Sequence, residues 1–292
     1  MPSAARHLLT SGLGATISMN QADLIRRFQE LTEPEDDKIN LAEAALVIAS
    51  TEYPELAPEA CLLLLDRLSE RVPAGPGASP LENIEALNRV LFEQEKLSGN
   101  EEDYDDPRNS FLNDVLERKK GIPITLSVVY MEVARRRRLP VVGVGFPGHF
   151  LVKYLAESGE IFIDPYHRGA ILARTDCEQL LKTHFGTEAE LRPEYLLAAT
   201  NRQILSRMLN NLKGSYFRRA NYPKVLTMIE LAFALNEDTL PDLRDRGMVY
   251  FAMARYADAV RDLKDYLSRA PSDDPQTKEV LRILHRIRSL MN

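Results

Sequence analysis

This chain lacks an excess of basic residues, lacks any long apolar run and is almost without cysteine. Its 37 Lys and Arg against 43 Asp and Glu leave a formal charge of −6, so no global positive field argues for a nucleic-acid partner. Its apolar stretches fall far short of membrane-spanning length, so no membrane partner is expected. Residues 1–20 carry only Arg6 as a basic residue and no long apolar block, which argues against a cleaved leader. They read as a loose tail. Two cysteines, Cys61 and Cys177, cannot build a disulfide framework and suit a reducing, cytoplasmic setting. Cys61 falls on an apolar stretch with nothing cationic nearby, so it reads as an inert buried thiol. At 292 residues the chain suits two compact units.

The first third reads as helical. Asn20 can cap a helix whose apolar face holds Leu24, Ile25, Phe28 and Leu31. Leu41, Ala44, Ala45, Val47 and Ile48 make a second amphipathic pattern, and Pro54 and Pro58 introduce a third that carries Leu62, Leu63, Leu64, Leu65 and Leu68. The Gly- and Pro-rich segment 72–80 is a loop. Ile84, Leu87, Val90 and Leu91 then mark a helix from Leu81 to about Glu95. The acidic run Glu101, Glu102, Asp103, Asp105, Asp106 lacks the alternating ligands, the Gly and the closing Glu of a calcium loop. It reads as a solvated loop.

The stretch from Asn109 to Asp164 organises the rest. Phe111 to Lys120 reads as a helix that Gly121 can end in the left-handed conformation. Pro123 then takes the first turn of the next helix, where proline is favoured. That helix, to about Arg138, is apolar on most sides (Ile124, Leu126, Val128, Val129, Met131, Val133, Ala134), as a buried central helix would be. Arg135 to Arg138 suit its last turn through the helix dipole and solvent. Strands are expected at 141–146, 149–155 and 161–164, the last two joined by a turn through Ala156 to Glu160 and therefore antiparallel. His149 and Asp164 would then sit at the same end of one sheet.

In this order, and in its Gly121-Ile122-Pro123-Ile124 and Pro147-Gly148-His149-Phe150-Leu151-Val152 blocks, the chain resembles the transglutaminase-like superfamily, and within it the SirB invasion-regulator branch. The resemblance implies an α+β fold, a papain-like transglutaminase core under N-terminal helices. It also implies a Cys-His-Asp site whose thiol stands at the head of the central helix. Backbone N–H groups and the dipole depress a thiol pKa there, while a His acts as base and an Asp orients it. His149 and Asp164 match the last two positions. The nucleophile position falls on Pro123, which has no nucleophilic atom and no N–H.

Neighbouring hydroxyls substitute poorly. Thr125 is rotated by about 200° from Pro123 on a helix, and Ser127 returns to that face about 6 Å further along the axis. Cys177 follows the sheet and has no evident route to the site. His149, Asp164 and His167 could meet a metal, but a third ligand in a fixed place is not evident, so neither metal nor cofactor is expected. The plainer reading makes His149 and Asp164 a hydrogen-bonded structural pair, joined by Asn109, Ser110 and Tyr130. His7, His184 and His285 read as surface or satisfied helix residues.

From about Tyr195 the pattern turns to helical repeats. Leu243, Gly247, Tyr250, Ala259, Leu263, Tyr266 and Pro271 follow tetratricopeptide intervals, with Leu243 at the usual tryptophan position. Thirty-four residues earlier, Leu209, Tyr216, Val225, Ile229 and Ala232 make a fainter copy. Arg246 and Glu237 depart from the usual choices, and Thr277 to Leu290 reads as a capping helix. The groove of such a pair would take residues near Arg207, Asn210, Asn211, Lys213 and Arg244, which could hold an extended peptide by its backbone or acidic groups. They could equally be ordinary solvated residues.

The expected organisation is thus a tail at 1–20, a transglutaminase-like domain at 21–192 and a tetratricopeptide domain at 193–292. The expected role is a non-catalytic protein-interaction or regulatory module with a protein or peptide partner. The alternative is a peptidase or amide-group transferase that uses His149 and Asp164 with a non-cysteine nucleophile.

Overall fold

Capping and periodicity set the N-terminal layer. The computed structural model describes residues 20–73, 75, 77–236 and 239–291. Residues 1–19 of the expected tail, His7 among them, and Glu237 therefore lie outside the described residues, whereas Asn20 belongs to the first helix as its cap. Contacts divide the chain into two units between Met208 and Leu209.

In the first unit, Asn20 accepts the Asp23 N–H at 3.1 Å and opens α1 (Gln21–Thr32), which buries Leu24 and Phe28. Helix α2 (Leu41–Ser50) is buried along nearly its whole length, and α3 (Pro58–Glu70) buries Cys61, Leu65 and Leu68. Each fully buried Leu or Ile in this layer is worth about 1.5–3 kcal/mol. A capping box between Ser79 and Glu82 starts α4 (Pro80–Asn88). The helix expected to reach Glu95 leaves α geometry at Asn88 and continues as one wider π turn over Arg89–Gln94.

Helix α5 (Leu112–Arg118) ends on Lys119, whose φ of 62° takes the left-handed role expected of Gly121. Gly121 serves packing instead. It forms a short parallel pairing with Gly99, and a Cβ there would stand 3.0 Å from the Val115 side chain. The central helix α6 (Pro123–Arg136) is buried from Pro123 through Tyr130. It packs against α2, α3, α4 and α5 and against the sheet. Its C-terminal cations do more than meet the dipole: Arg135 and Arg136 both pair with Glu132, which is only 2% exposed.

Four antiparallel strands follow, ordered β1 (Val141–Val144), β2 (Leu151–Ala156), β3 (Gly159–Asp164) and β4 (Ala170–Leu172). The fourth was not evident in the sequence. Val152 pairs with Ile163 and Asp164 with Ala170. Helix α7 (Arg174–Phe185) returns over the sheet, so that Cys177 and Leu181 pack with Val144, Phe146 and Leu151.

The second unit is all helical. It takes up α8 (Asn201–Arg218) from Leu209 onward, then α9 (Tyr222–Leu235), α10 (Leu240–Ala252), α11 (Tyr256–Arg269) and α12 (Thr277–Met291). Leu243, Ala259, Leu263, Tyr266, Val280, Ile283 and Ile287 form its core. Gly247 lets α10 approach α11 closely, since a Cβ there would lie 2.7 Å from Leu263 side-chain carbons. The whole is therefore an α+β unit with a small sheet, followed by two helix pairs and a closing helix.

Candidate functional site

Two tight turns build the site. Phe146-Pro147-Gly148-His149 closes with the His149 N–H on the Phe146 carbonyl at 3.1 Å. Proline fixes the first central position, and Gly148 takes a φ of 69° at the second, as a type II turn requires. His149 therefore sits in the turn before β2 rather than on the strand. At the end of β3, Asp164-Pro165 begins a second turn in which Oδ1 of Asp164 accepts the Tyr166 N–H at 2.9 Å and the His167 N–H at 3.3 Å. This aims the other oxygen, Oδ2, at two imidazoles.

His149 Nε2 lies 2.8 Å from that oxygen and His167 Nδ1 lies 2.7 Å from it. Both nitrogens carry a proton if both rings donate, which leaves His149 Nδ1 and His167 Nε2 as acceptors. His149 and Asp164 are buried at 5% and 2% exposure, whereas the His167 side chain is 54% exposed. Burial by itself would raise the Asp164 pKa. The hydrogen bonds and charge of His149 and His167 outweigh it and hold the carboxyl below its ordinary range. Tyr166 stands edge-on to both imidazoles, and His184 stacks on His149 with 6.1 Å between centroids. Burial first, then the neighbouring His149, lowers the His184 pKa.

Arg207 holds the first turn from behind. Its guanidinium donates to the carbonyls of Phe146 at 2.9 Å and His149 at 2.6 Å and lies over the Phe150 ring. It thus reaches the core site, although the sequence suggested a place in the repeat groove. Lys213 is also engaged, at 2.6 Å from Asp242 and 2.7 Å from Asp245, and Arg244 bonds Asp245. Of the residues expected in that groove, Asn210 is exposed and Asn211 half-buried.

At the head of α6, Pro123 is the first helical residue and Ile122 the cap. The Thr125, Ser127 and Tyr130 hydroxyls are buried and hydrogen-bond no group among the described residues. None of them reaches His149. Burial raises the Tyr130 phenol further, and its ring stacks on Phe92. Asn109 ties a loop together instead, through Asn100 at 2.9 Å and the Asp103 carbonyl at 2.6 Å. Ser110 is buried, with its N–H on the Pro107 carbonyl. The pair of His149 and Asp164 is joined by His167 and by the backbone amides of Tyr166 and His167, in place of Asn109, Ser110 and Tyr130. Sequence reasoning saw no context for His184, because only the return of α7 over the sheet supplies one. Both thiols are free and buried. Burial pushes Cys61 up to about 12 and Cys177 up to about 11.

His149, Asp164 and His167 each offer one ligand atom, and these atoms lie within 4.8 Å of one another. Among the described residues, no helix is long and apolar enough to cross a membrane.

Residues 59–210 match the family model described as transglutaminase-like superfamily, and residues 212–292 match that of the tetratricopeptide repeat. The chain is 35% identical over 259 residues to a UPF0162 protein of Xylella fastidiosa, covering 85% of this chain and 90% of that protein. It is 34% identical over 257 residues to one of Pseudomonas aeruginosa, covering 86% and 90%. F-box only protein 21 of Homo sapiens is 32% identical over 180 residues, which span 58% of this chain and 28% of that protein. The crystal structure of menin superposes with a TM-score of 0.44 at 10% identity, over 90% of this chain and 74% of that one.

Proposed function

The chain belongs to the transglutaminase-like superfamily and, with its relatives, to the UPF0162 proteins; from that premise we propose that it acts as a non-catalytic interaction or regulatory module. The observation that carries this reading is Pro123. An imino acid occupies the head of the buried helix, where the superfamily's thiol would stand. The orphaned hydroxyls of Thr125 and Ser127 support it, because a general base must lie within about 3.2 Å of the group it activates. His149 then serves to pin two turns through Asp164. The wording of the Gly121 and Pro147 blocks supports the SirB branch, and two free thiols accord with a reducing, cytoplasmic setting.

Incubation with glutamine-containing peptides, with and without a primary amine, is expected to give no hydrolysis, deamidation or transamidation above the His149→Ala control. Turnover that the control lacks would restore the peptidase or transferase alternative.

Tetratricopeptide repeats generally mediate protein–protein contacts, so the second unit is the place for a partner. Gly247→Val would drive new methyl groups into Leu263 and is expected to cost about 2–3 kcal/mol through overpacking. Affinity capture with the full chain and with this variant should then differ, the variant losing partners that the parent retains. Identical partner sets from a variant shown to be disrupted would remove the repeats from the account.

A further inference from the structure

The sequence offers Asp164 and His167 separated by two residues, with no third ligand in a fixed place. The fold supplies the third. The Pro147-Gly148 turn brings His149 onto the oxygen of Asp164 that His167 also approaches. We propose that His149, Asp164 and His167 bind one divalent transition-metal ion, through His149 Nε2, Asp164 Oδ2 and His167 Nδ1.

The geometry of the donors supports this. First-row metals hold N and O ligands at about 2.0–2.2 Å, which separates neighbouring ligand atoms by about 2.9 Å at right angles and about 3.4 Å in a tetrahedron. The two nitrogen–oxygen separations here are 2.8 and 2.7 Å, and all three ligand atoms fall within 4.8 Å. An ion would need each nitrogen–oxygen pair to spread slightly and the two imidazole nitrogens to stand within about 4.2 Å of each other, twice a bond length. The carboxylate is oriented for it, since the Tyr166 and His167 amides occupy Oδ1 and fix the direction of Oδ2.

Donor chemistry chooses the class of ion. Two imidazoles and one carboxylate suit zinc, iron(II), cobalt(II) or nickel(II), whereas calcium and magnesium prefer oxygen throughout. Three protein ligands leave positions for water or a small anion, on the side where His167 is 54% exposed. Each neutral ring binds by moving its proton to the far nitrogen, to Nδ1 of His149 and Nε2 of His167. Among the described residues no group hydrogen-bonds His149 Nδ1. The inference concerns binding alone and is independent of whether the repeats take a partner.

The test uses the full chain, stripped with a chelator, dialysed and titrated with zinc chloride by calorimetry, and with cobalt(II) by absorption. The expected result is one ion per chain, with cobalt bands of a nitrogen–oxygen site and no thiolate charge transfer. His167→Ala, a half-exposed position whose folding circular dichroism checks, should weaken binding by at least about tenfold. His184→Ala removes a ring that stacks on His149 without belonging to the ligand set, and it should bind as the parent does. Absence of stoichiometric binding, equal affinity in parent and His167→Ala, or a thiolate–cobalt band implicating Cys61 or Cys177 would each overturn the proposal. Should His167→Ala fail to fold, the cobalt spectrum of the parent still decides.

Discussion

Asp164→Ala is expected to lower folding stability by about 2–5 kcal/mol near neutral pH, measured by urea titration. The substitution leaves the buried His149 Nε2–H and the Tyr166 amide without the acceptor that now meets them at 2.8 and 2.9 Å. An orphaned buried donor such as the His149 ring N–H costs about 1–3 kcal/mol, and the part-buried Tyr166 amide costs less. Asp164→Asn keeps the shape and one acceptor oxygen for the turn, so it should cost less.

The pH dependence follows from the same contacts. The folded Asp164 pKa is depressed, so its contribution is fully present above the unfolded carboxylate value of about 3.9. It is lost as pH falls through the lower, folded value. Asp164→Ala should lack that acid limb, and the gap between parent and variant should shrink toward low pH. A loss below about 0.5 kcal/mol, the level of an ordinary surface substitution, would mean that the pair does not hold the turns.

Much of this molecule was legible in its sequence, for reasons that differ from element to element. Asn20 as a cap, Pro123 as a first helical residue and the all-round apolarity of α6 are local signals, and the fold follows them. Gly247 and Leu263 were legible as a repeat because both halves of that contact recur at a fixed interval. The pairing of His149 with Asp164 could be placed on one end of a sheet, since a short turn forces adjacent strands.

What sequence could not give depends on long-range return of the chain. His184 reaches His149 only because α7 folds back, and Arg207 reaches the Phe146 turn from beyond sixty residues of intervening chain. Lys119 in place of Gly121 as the left-handed residue is a tertiary override. The close packing of Val115 and Leu126 accounts for the glycine, and the helix ends two residues earlier. The π turn at Arg89–Gln94 has no local signature in the sequence.

The largest chemical effect concerns side chains that should not react. A superfamily thiol at a helix head has a pKa of about 3.5–7.5 and is substantially ionised at neutral pH. Burial pushes Cys61 to about 12 and Cys177 to about 11. Their thiolate fractions near neutrality are then about 10⁻⁵ and 10⁻⁴. After the greater nucleophilicity of a basic thiolate is allowed for, alkylation should run roughly fiftyfold or more slower than at a catalytic thiol of pKa about 7. Burial of both side chains slows it further.

Intact mass of the native full chain after exposure to iodoacetamide, and separately to a fluorophosphonate, therefore tests the claim about Pro123 most directly. The account predicts no adduct in either case on the time scale that labels a catalytic residue, and alkylation of both cysteines once the protein is unfolded. A stoichiometric native adduct that disappears in His149→Ala would contradict it, for it would reveal a nucleophile working with that imidazole.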